Sequence, residues 1–186
     1  MFNEEWYPEE QLNLLCKIFE LTKGLKGINI EIGCWEGRST TRLAQTCYPE
    51  NLVCNDTWEG NPLENIDNPT IRILKVRDVF KIFQENMLEY TDGNYTIVKD
   101  DCIVYLASLK ESIKFCHIDA SHEYSSVKKT LELLLPNMVE GGVLCGDDYI
   151  YAGLNRLDLN GGVERAVKEL LPEHKAIANF WWWTRG

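Results

Sequence analysis

What most constrains this chain is an alternation of short apolar runs with longer stretches of helical spacing, sustained along nearly its whole length. Ile28 to Ile32, Asn51 to Asn55, Tyr95 to Val98, Ile113 to Ile118 and Val143 to Cys145 read as strands. Between them, Gln11–Thr22, Ser39–Cys47, Ile71–Leu88, Ile103–Leu109 and Tyr124–Met138 read as helices. The periodicity turns Leu12, Leu15, Cys16 and Phe19 inward in the first, and Val76, Val79, Phe80, Phe83 and Met87 in the third. Val163, Ala166, Val167, Leu170 and Leu171 mark a last helix, closed by Pro172, and His174 to Thr184 supplies one or two final strands. Glu59–Asn68, with Pro62 and three asparagines, has no periodicity and reads as a loop. Strands that alternate with helices of this length pair in parallel through right-handed crossovers. The expected fold is therefore α/β: a doubly wound, mostly parallel sheet with helices on both faces, whose ligands sit beyond the carboxyl ends of the strands.

A length of 186 residues fits one domain. Residues 1–26 form an N-terminal helix or lid and 27–186 the core. Lys and Arg number 19 against 29 Asp and Glu, a formal charge of −10. That sign opposes a phosphate backbone or an anionic lipid surface, so nucleic acid and membrane are not expected partners. The longest apolar runs are a few residues, and Met1 to Glu10 lacks the features of a signal peptide, which together point to the cytoplasm. Seven scattered cysteines suit reduced core thiols better than a zinc site or a disulfide frame. Formation of homo-oligomers is left open.

Chemistry concentrates at the strand ends. After the first strand comes Glu31-Ile-Gly33-Cys-Trp35-Glu-Gly37-Arg-Ser39, a glycine turn opening a helix, which lets backbone N–H groups approach a ligand. Trp35 occupies the place where a dinucleotide fingerprint needs a small residue, and no phosphate-loop lysine follows, so a diphosphate ligand is disfavoured. The second strand ends in Asp56, placed to accept ribose hydroxyls, unless it is an ordinary turn residue. Asp119 ends the fourth strand, and Asp147-Asp148 the fifth. Neighbouring strands lie about 4.8 Å apart, and two carboxylates about 5 Å apart repel by roughly 3 kcal/mol at an effective dielectric near 20. A divalent cation with oxygen ligands, Mg²⁺, Mn²⁺ or Ca²⁺, relieves this most simply, the alternative being solvated turns.

Taken in order, Glu-x-Gly-x-x-x-Gly-x-Ser, Asp-Thr-Trp-Glu-Gly, Ile-Asp-Ala-Ser-His-x-Tyr, Gly-Gly-Val-x-x-x-Asp-Asp-Tyr and Gly-Val-x-x-Ala-Val resemble the class I S-adenosylmethionine-dependent methyltransferases. Within that class the chain resembles the metal-dependent macrocin and aminocoumarin sugar O-methyltransferases, over about Glu31 to Leu171. The resemblance implies a Rossmann-like core in which Glu31, Gly33, Gly37 and Ser39 hold the methionine part of the cofactor. It places Asp56 on the ribose, Asp100 and Asp101 on the adenine edge, and Asp119 beside the cofactor. Asp119, Asp147 and Asp148 match metal-ligand positions, with Mg²⁺ the expected ion and a hydroxyl of a small molecule or sugar the acceptor.

One departure matters: the sugar enzymes carry an aspartate, proposed as general base, where this chain has Ser121. A serine cannot act as that base at neutral pH. His122 is then the catalytic candidate beside Asp119, with solvent as the alternative base, although a histidine at a helix start can also cap or pack. His117 and His174 read as structural. Trp6 and Tyr7 are candidates to close over the acceptor, and Trp181 to Trp183 read as sheet packing. Two other functions stay open: a cofactor-binding protein without transfer, and a nucleotide-dependent oxidoreductase on the same fold.

Overall fold

Residues 2–3, 6–60, 69–150 and 161–186 are described in the computed structural model of the chain. They form β1 (Ile28–Ile32), β2 (Leu52–Asp56), β3 (Tyr95–Lys99), β4 (Ile113–Ile118), β5 (Met138–Gly146), β6 (Lys175–Ile177) and β7 (Phe180–Thr184). The helices are α1 (Glu9–Phe19), α2 (Arg38–Cys47), α3 (Pro69–Leu74), α4 (Val79–Tyr90), α5 (Cys102–Ser108), α6 (Tyr124–Leu134) and α7 (Gly162–Leu170). One sheet runs β3-β2-β1-β4-β5-β7-β6. Pairs from β3 through β5 are parallel, and β7 is antiparallel to both β5 and β6. This is the doubly wound, mostly parallel architecture expected from the alternation.

The period of two along each strand divides the core. Cys54, Phe115 and Cys145 face α1, α2 and α4, where they meet Leu12, Leu15, Phe19, Leu43, Phe83 and Met87. Their neighbours Val53, Cys116 and Leu144 face the other way, toward Leu106, Val127, Leu131, Leu134, Ala166 and Val167. All six residues of β4 are buried, because helices cover both faces of the sheet's centre. Trp181 is 1% exposed and packs over Gly146, so this part of the tryptophan run serves the sheet, while Trp182 and Trp183 are half-buried. The seven cysteines are free thiols. Among the described residues no helix is long and apolar enough to cross a membrane.

Two elements differ from the periodicity. The helix expected over Ile71–Leu88 is broken between α3 and α4, where Asp78 accepts from Lys81 N–H at 3.0 Å and so begins a new helix. Val76 falls in the break and is 84% exposed instead of inward. Likewise, the helix expected to reach Met138 stops at Leu134. Pro136 lacks the N–H needed to continue it, a 3₁₀ turn takes Leu135–Asn137, and β5 starts at Met138. Gly141 and Gly142 then lie inside β5 as an irregularity, where its register against β4 jumps from Met138 opposite Ile113 to Val143 opposite Phe115. Most of the expected loop, residues 61–68, lies outside the described residues.

The sheet grows outward from β1 in one direction and from β4 in the other. Loops leaving the carboxyl ends of these two strands therefore diverge, and a cleft opens between them.

Candidate active site

The cleft encloses about 550 Å³ at that switch point. Its near wall is the loop from β1 to α2. Gly33 has φ 86°, and a Cβ there would lie 1.8 Å from the Asp119 carbonyl oxygen, so only glycine lets the β1 and β4 loops approach this closely. Gly37, also left-handed, starts α2 without a side-chain cap, and its missing Cβ faces Phe83, so its place is a packing one. The N-terminus of α2 and Ser39 border the cleft.

Asp56 holds this loop in shape. One carboxylate oxygen accepts from Cys34 N–H at 2.7 Å and Trp35 N–H at 2.9 Å, and the other from Trp58 N–H at 2.8 Å. Burial raises its pKa, and those N–H groups pull it back. Trp35 and Trp58 both adopt positive φ, and the Trp58 indole donates to the Trp35 carbonyl at 2.8 Å. Asp56 borders the cleft, but the hydrogen bonds of its side chain go to backbone N–H groups of Cys34, Trp35 and Trp58. Asp100 and Asp101 form the far rim. Asp101 caps α5 through Ile103 and Val104 N–H, and Asp100 accepts from Asp101 N–H at 2.8 Å.

Opposite lies the acidic edge. Ile118 pairs with Gly146, so the next residues, Asp119 and Asp147, emerge side by side. Asp148 has φ 56°, a strained conformation for a residue with a Cβ. Its Oδ2 meets His122 Nε2 at 2.7 Å. Ligand atoms of Asp119, His122 and Asp148 all lie within 4.8 Å of one another. The expected trio of aspartates is thus altered: His122 joins Asp119 and Asp148, while Asp147 stands beside them with Oδ1 buried and making no hydrogen bond. Withdrawal from solvent, then the charges of Asp147 and Asp148, push the Asp119 carboxyl up to about 8. Burial and Asp148 push Asp147 to about 6. α7 presses against this edge from outside, since a Cβ on Gly162 would stand 2.2 Å from the His122 carbonyl oxygen.

The N-terminal segment forms the remaining wall. Phe2, Trp6 and Tyr7 line the cleft, and Trp6 leans on Trp35 with centroids 5.7 Å apart. Asn3 donates to both oxygens of Glu36, which also takes Arg77 at 2.8 Å. The Arg38 guanidinium donates to the Tyr7 carbonyl at 3.0 Å. Periodicity carries no sign of Glu36, a 2% exposed carboxylate in the middle of the glycine turn. Its one visible signal is a charge where the turn needs none. Glu31, expected on the cofactor, is wholly buried, bonded to His117 at 3.0 Å and absent from the cleft wall. Ser121 lines the cleft, and its hydroxyl accepts from Glu123 N–H at 3.3 Å. His174 bonds Tyr149 and the Leu171 carbonyl away from the cleft, a structural place.

Comparison with known proteins agrees with this geometry. A family model described as a methyltransferase domain matches residues 30–149, from β1 through the acidic edge. Among solved structures, the O-methyltransferase NovP superposes with a TM-score of 0.73 at 17% identity, over 95% of this chain and 79% of that one. CalS11, a calicheamicin methyltransferase, gives 0.67 at 16% identity over 96% and 80%. An O-methyltransferase from Bacillus cereus in complex with SAH gives 0.66 at 16% identity over 95% and 80%. No curated protein sequence matches the chain. With the family model spanning well over half of its residues, the chain belongs to the methyltransferase-domain family, and its sheet has the class I methyltransferase fold.

Proposed function

We propose that the chain is an S-adenosylmethionine-dependent O-methyltransferase that uses a divalent cation, Mg²⁺ or Mn²⁺, to hold a small-molecule acceptor bearing neighbouring hydroxyls, as on a sugar. The observation that carries the reading is the convergence of Asp119, His122 and Asp148 within 4.8 Å, beside the glycine turn of a methyltransferase family member. Two carboxylates and an imidazole suit a divalent metal. The Asp147 oxygen that makes no hydrogen bond, and the Asp119 carboxyl raised by burial and then by its acidic neighbours, support a cation at this edge. On the near side, the α2 N-terminus and the Asp56-braced loop offer a preformed cradle for the methionine end of the cofactor, with Asp100 and Asp101 at the adenine end.

When bound, the cofactor supplies an electrophilic methyl group and the cation lowers the pKa of the acceptor hydroxyl. Positioning and proton handling fall to this chain. Asp119, His122 and Asp148 orient the hydroxyl toward the cofactor side of the cleft. Asp147, which stands beside these three with Oδ1 making no hydrogen bond, takes the proton, the role that Ser121 cannot fill and that His122 gives up as a ligand. Trp6, Tyr7 and Trp35 close the acceptor side with apolar surface. A net charge of −10 and an acidic rim favour an uncharged small molecule over nucleic acid. The test is methylation of a panel of catechols and polyols with labelled cofactor, with and without chelator. Asp119→Asn and Asp148→Asn should each abolish metal-dependent turnover while S-adenosylhomocysteine affinity stays within a few-fold. Turnover that survives chelator and both substitutions removes the cation from the account.

A further inference from the structure

Below the acceptor wall runs a buried polar chain that ends on Tyr7 and whose other two members, Glu31 and His117, the chemistry above does not use. Glu31 on β1 and His117 on β4 are directly paired in register, and both are 0% exposed. His117 Nδ1 donates to Glu31 Oε1 at 3.0 Å, and its Nε2 faces the Tyr7 hydroxyl at 3.2 Å. Because a carboxylate only accepts, Glu31 fixes the proton on Nδ1 and leaves Nε2 for the phenol. Phe180 stacks on the imidazole with centroids 6.3 Å apart, and the Tyr7 ring meets it edge-on at 5.8 Å, so the ring has one orientation. Tyr7 is 5% exposed yet lines the cleft, whereas Glu31 does not reach it. The other Glu31 oxygen, Oε2, makes no hydrogen bond, but a cofactor ammonium there would need an access that full burial denies.

We propose that Glu31 is a positioning residue in this chain: acting through His117, it holds Tyr7, and with it Trp6, as the acceptor-side wall of the cleft, and it does not touch the cofactor. The proposal rests on the reading above only in naming which side each ligand takes. Among the described residues, the bond between Tyr7 and His117 is the one side-chain tether of Tyr7 into the sheet, on a segment also held by Arg38 and Asn3 at the cleft rim.

The test compares wild type, Tyr7→Phe and Glu31→Gln in the full chain, each first checked for cooperative thermal unfolding. Chymotrypsin cleavage of the Trp6–Tyr7 bond reads opening of the segment. Loss of one such hydrogen bond corresponds to about a tenfold faster cleavage in both variants. S-adenosylhomocysteine affinity by calorimetry should stay within about threefold in both, since no charge-assisted contact to the cofactor is lost. The Nδ1 proton resonance of His117, downfield and protected from exchange, should persist in Tyr7→Phe and move in Glu31→Gln. A tenfold loss of affinity in Glu31→Gln, or unchanged cleavage in Tyr7→Phe, overturns the proposal. A wild-type chain that binds no S-adenosylhomocysteine contradicts the cofactor reading instead, and the cleavage comparison still decides the role of Glu31.

Discussion

The two sides of the cleft solve opposite problems. On the near side, between β1 and β2, polar groups answer one another: Asp56 is occupied by three backbone N–H groups, and Glu36 by Asn3 and Arg77. On the far side, past β4 and β5, Asp119, Asp147 and Asp148 crowd together, His122 Nε2 stands 2.7 Å from Asp148, and an Asp147 oxygen makes no hydrogen bond. Among the described residues, the carboxylates of the first wall are held by donors from the chain itself, while those of the second stand against one another. Substitutions should separate them: changes to the first wall act on folding whatever is bound, and changes to the second act through the proposed cation.

The largest effect is expected at the hinge where the walls meet. Gly33→Ala places a methyl 1.8 Å from the Asp119 carbonyl oxygen at φ 86°, which forces the two loops apart. Destabilisation should exceed about 4 kcal/mol, the range of backbone strain combined with overpacking. Urea unfolding checks this, and a loss below about 1 kcal/mol would mean that the loops yield easily.

Next in size is a pH dependence to which the acidic wall contributes, alongside the upward shifts of Asp56 and His117. The Asp119 carboxyl has its pKa raised from 3.8 to about 8, and Asp147 from 3.8 to about 6, so the folded state holds protons that the unfolded chain releases. Their contribution is complete below pH 4 and declines as pH rises, through about 6 for Asp147 and about 8 for Asp119. Without added metal, melting temperature should therefore fall between pH 5 and pH 9, and Asp119→Asn should flatten that fall. Millimolar Mg²⁺ or Mn²⁺ should restore stability most at the alkaline end. A flat profile without metal would show the charges to be screened already.

The fold was readable from residues because its signals are local. Apolar positions at a period of two or 3.6 place β4 between helices and turn Leu12, Leu15 and Phe19 of α1 inward, although Cys16 is half-buried and Ile18 takes the remaining buried place. The acidic edge was equally readable, since a carboxylate that follows a parallel strand must stand at the ligand-binding edge. Breaks inside a continuous pattern were not. Val76 continues the apolar stripe of its neighbours, and the break shows only in the capping bond by which Asp78 begins a new helix. Nor could spacing reveal partnerships such as Glu31 with His117, which are 86 residues apart, or Asp148 with His122, because these depend on register and backbone strain.

Smaller effects sharpen the contrast on the first wall. Asp56→Asn swaps a charged acceptor of three N–H bonds for a neutral amide, and should cost about 2 kcal/mol with or without metal. Dependence of that loss on metal would join the two walls into one unit. Asp78→Ala, which removes the cap of α4 away from both, should cost about 1 kcal/mol in chemical denaturation and leave cation affinity unchanged.

Calorimetric titration of Mn²⁺ into the wild-type chain and into Asp148→Asn at pH 8, with S-adenosylhomocysteine present, addresses the central claim most directly. One site per chain in the wild type, lost in the variant while the S-adenosylhomocysteine affinity of both remains alike, is the predicted result. Equal Mn²⁺ binding by the two proteins, or none by either, would contradict it.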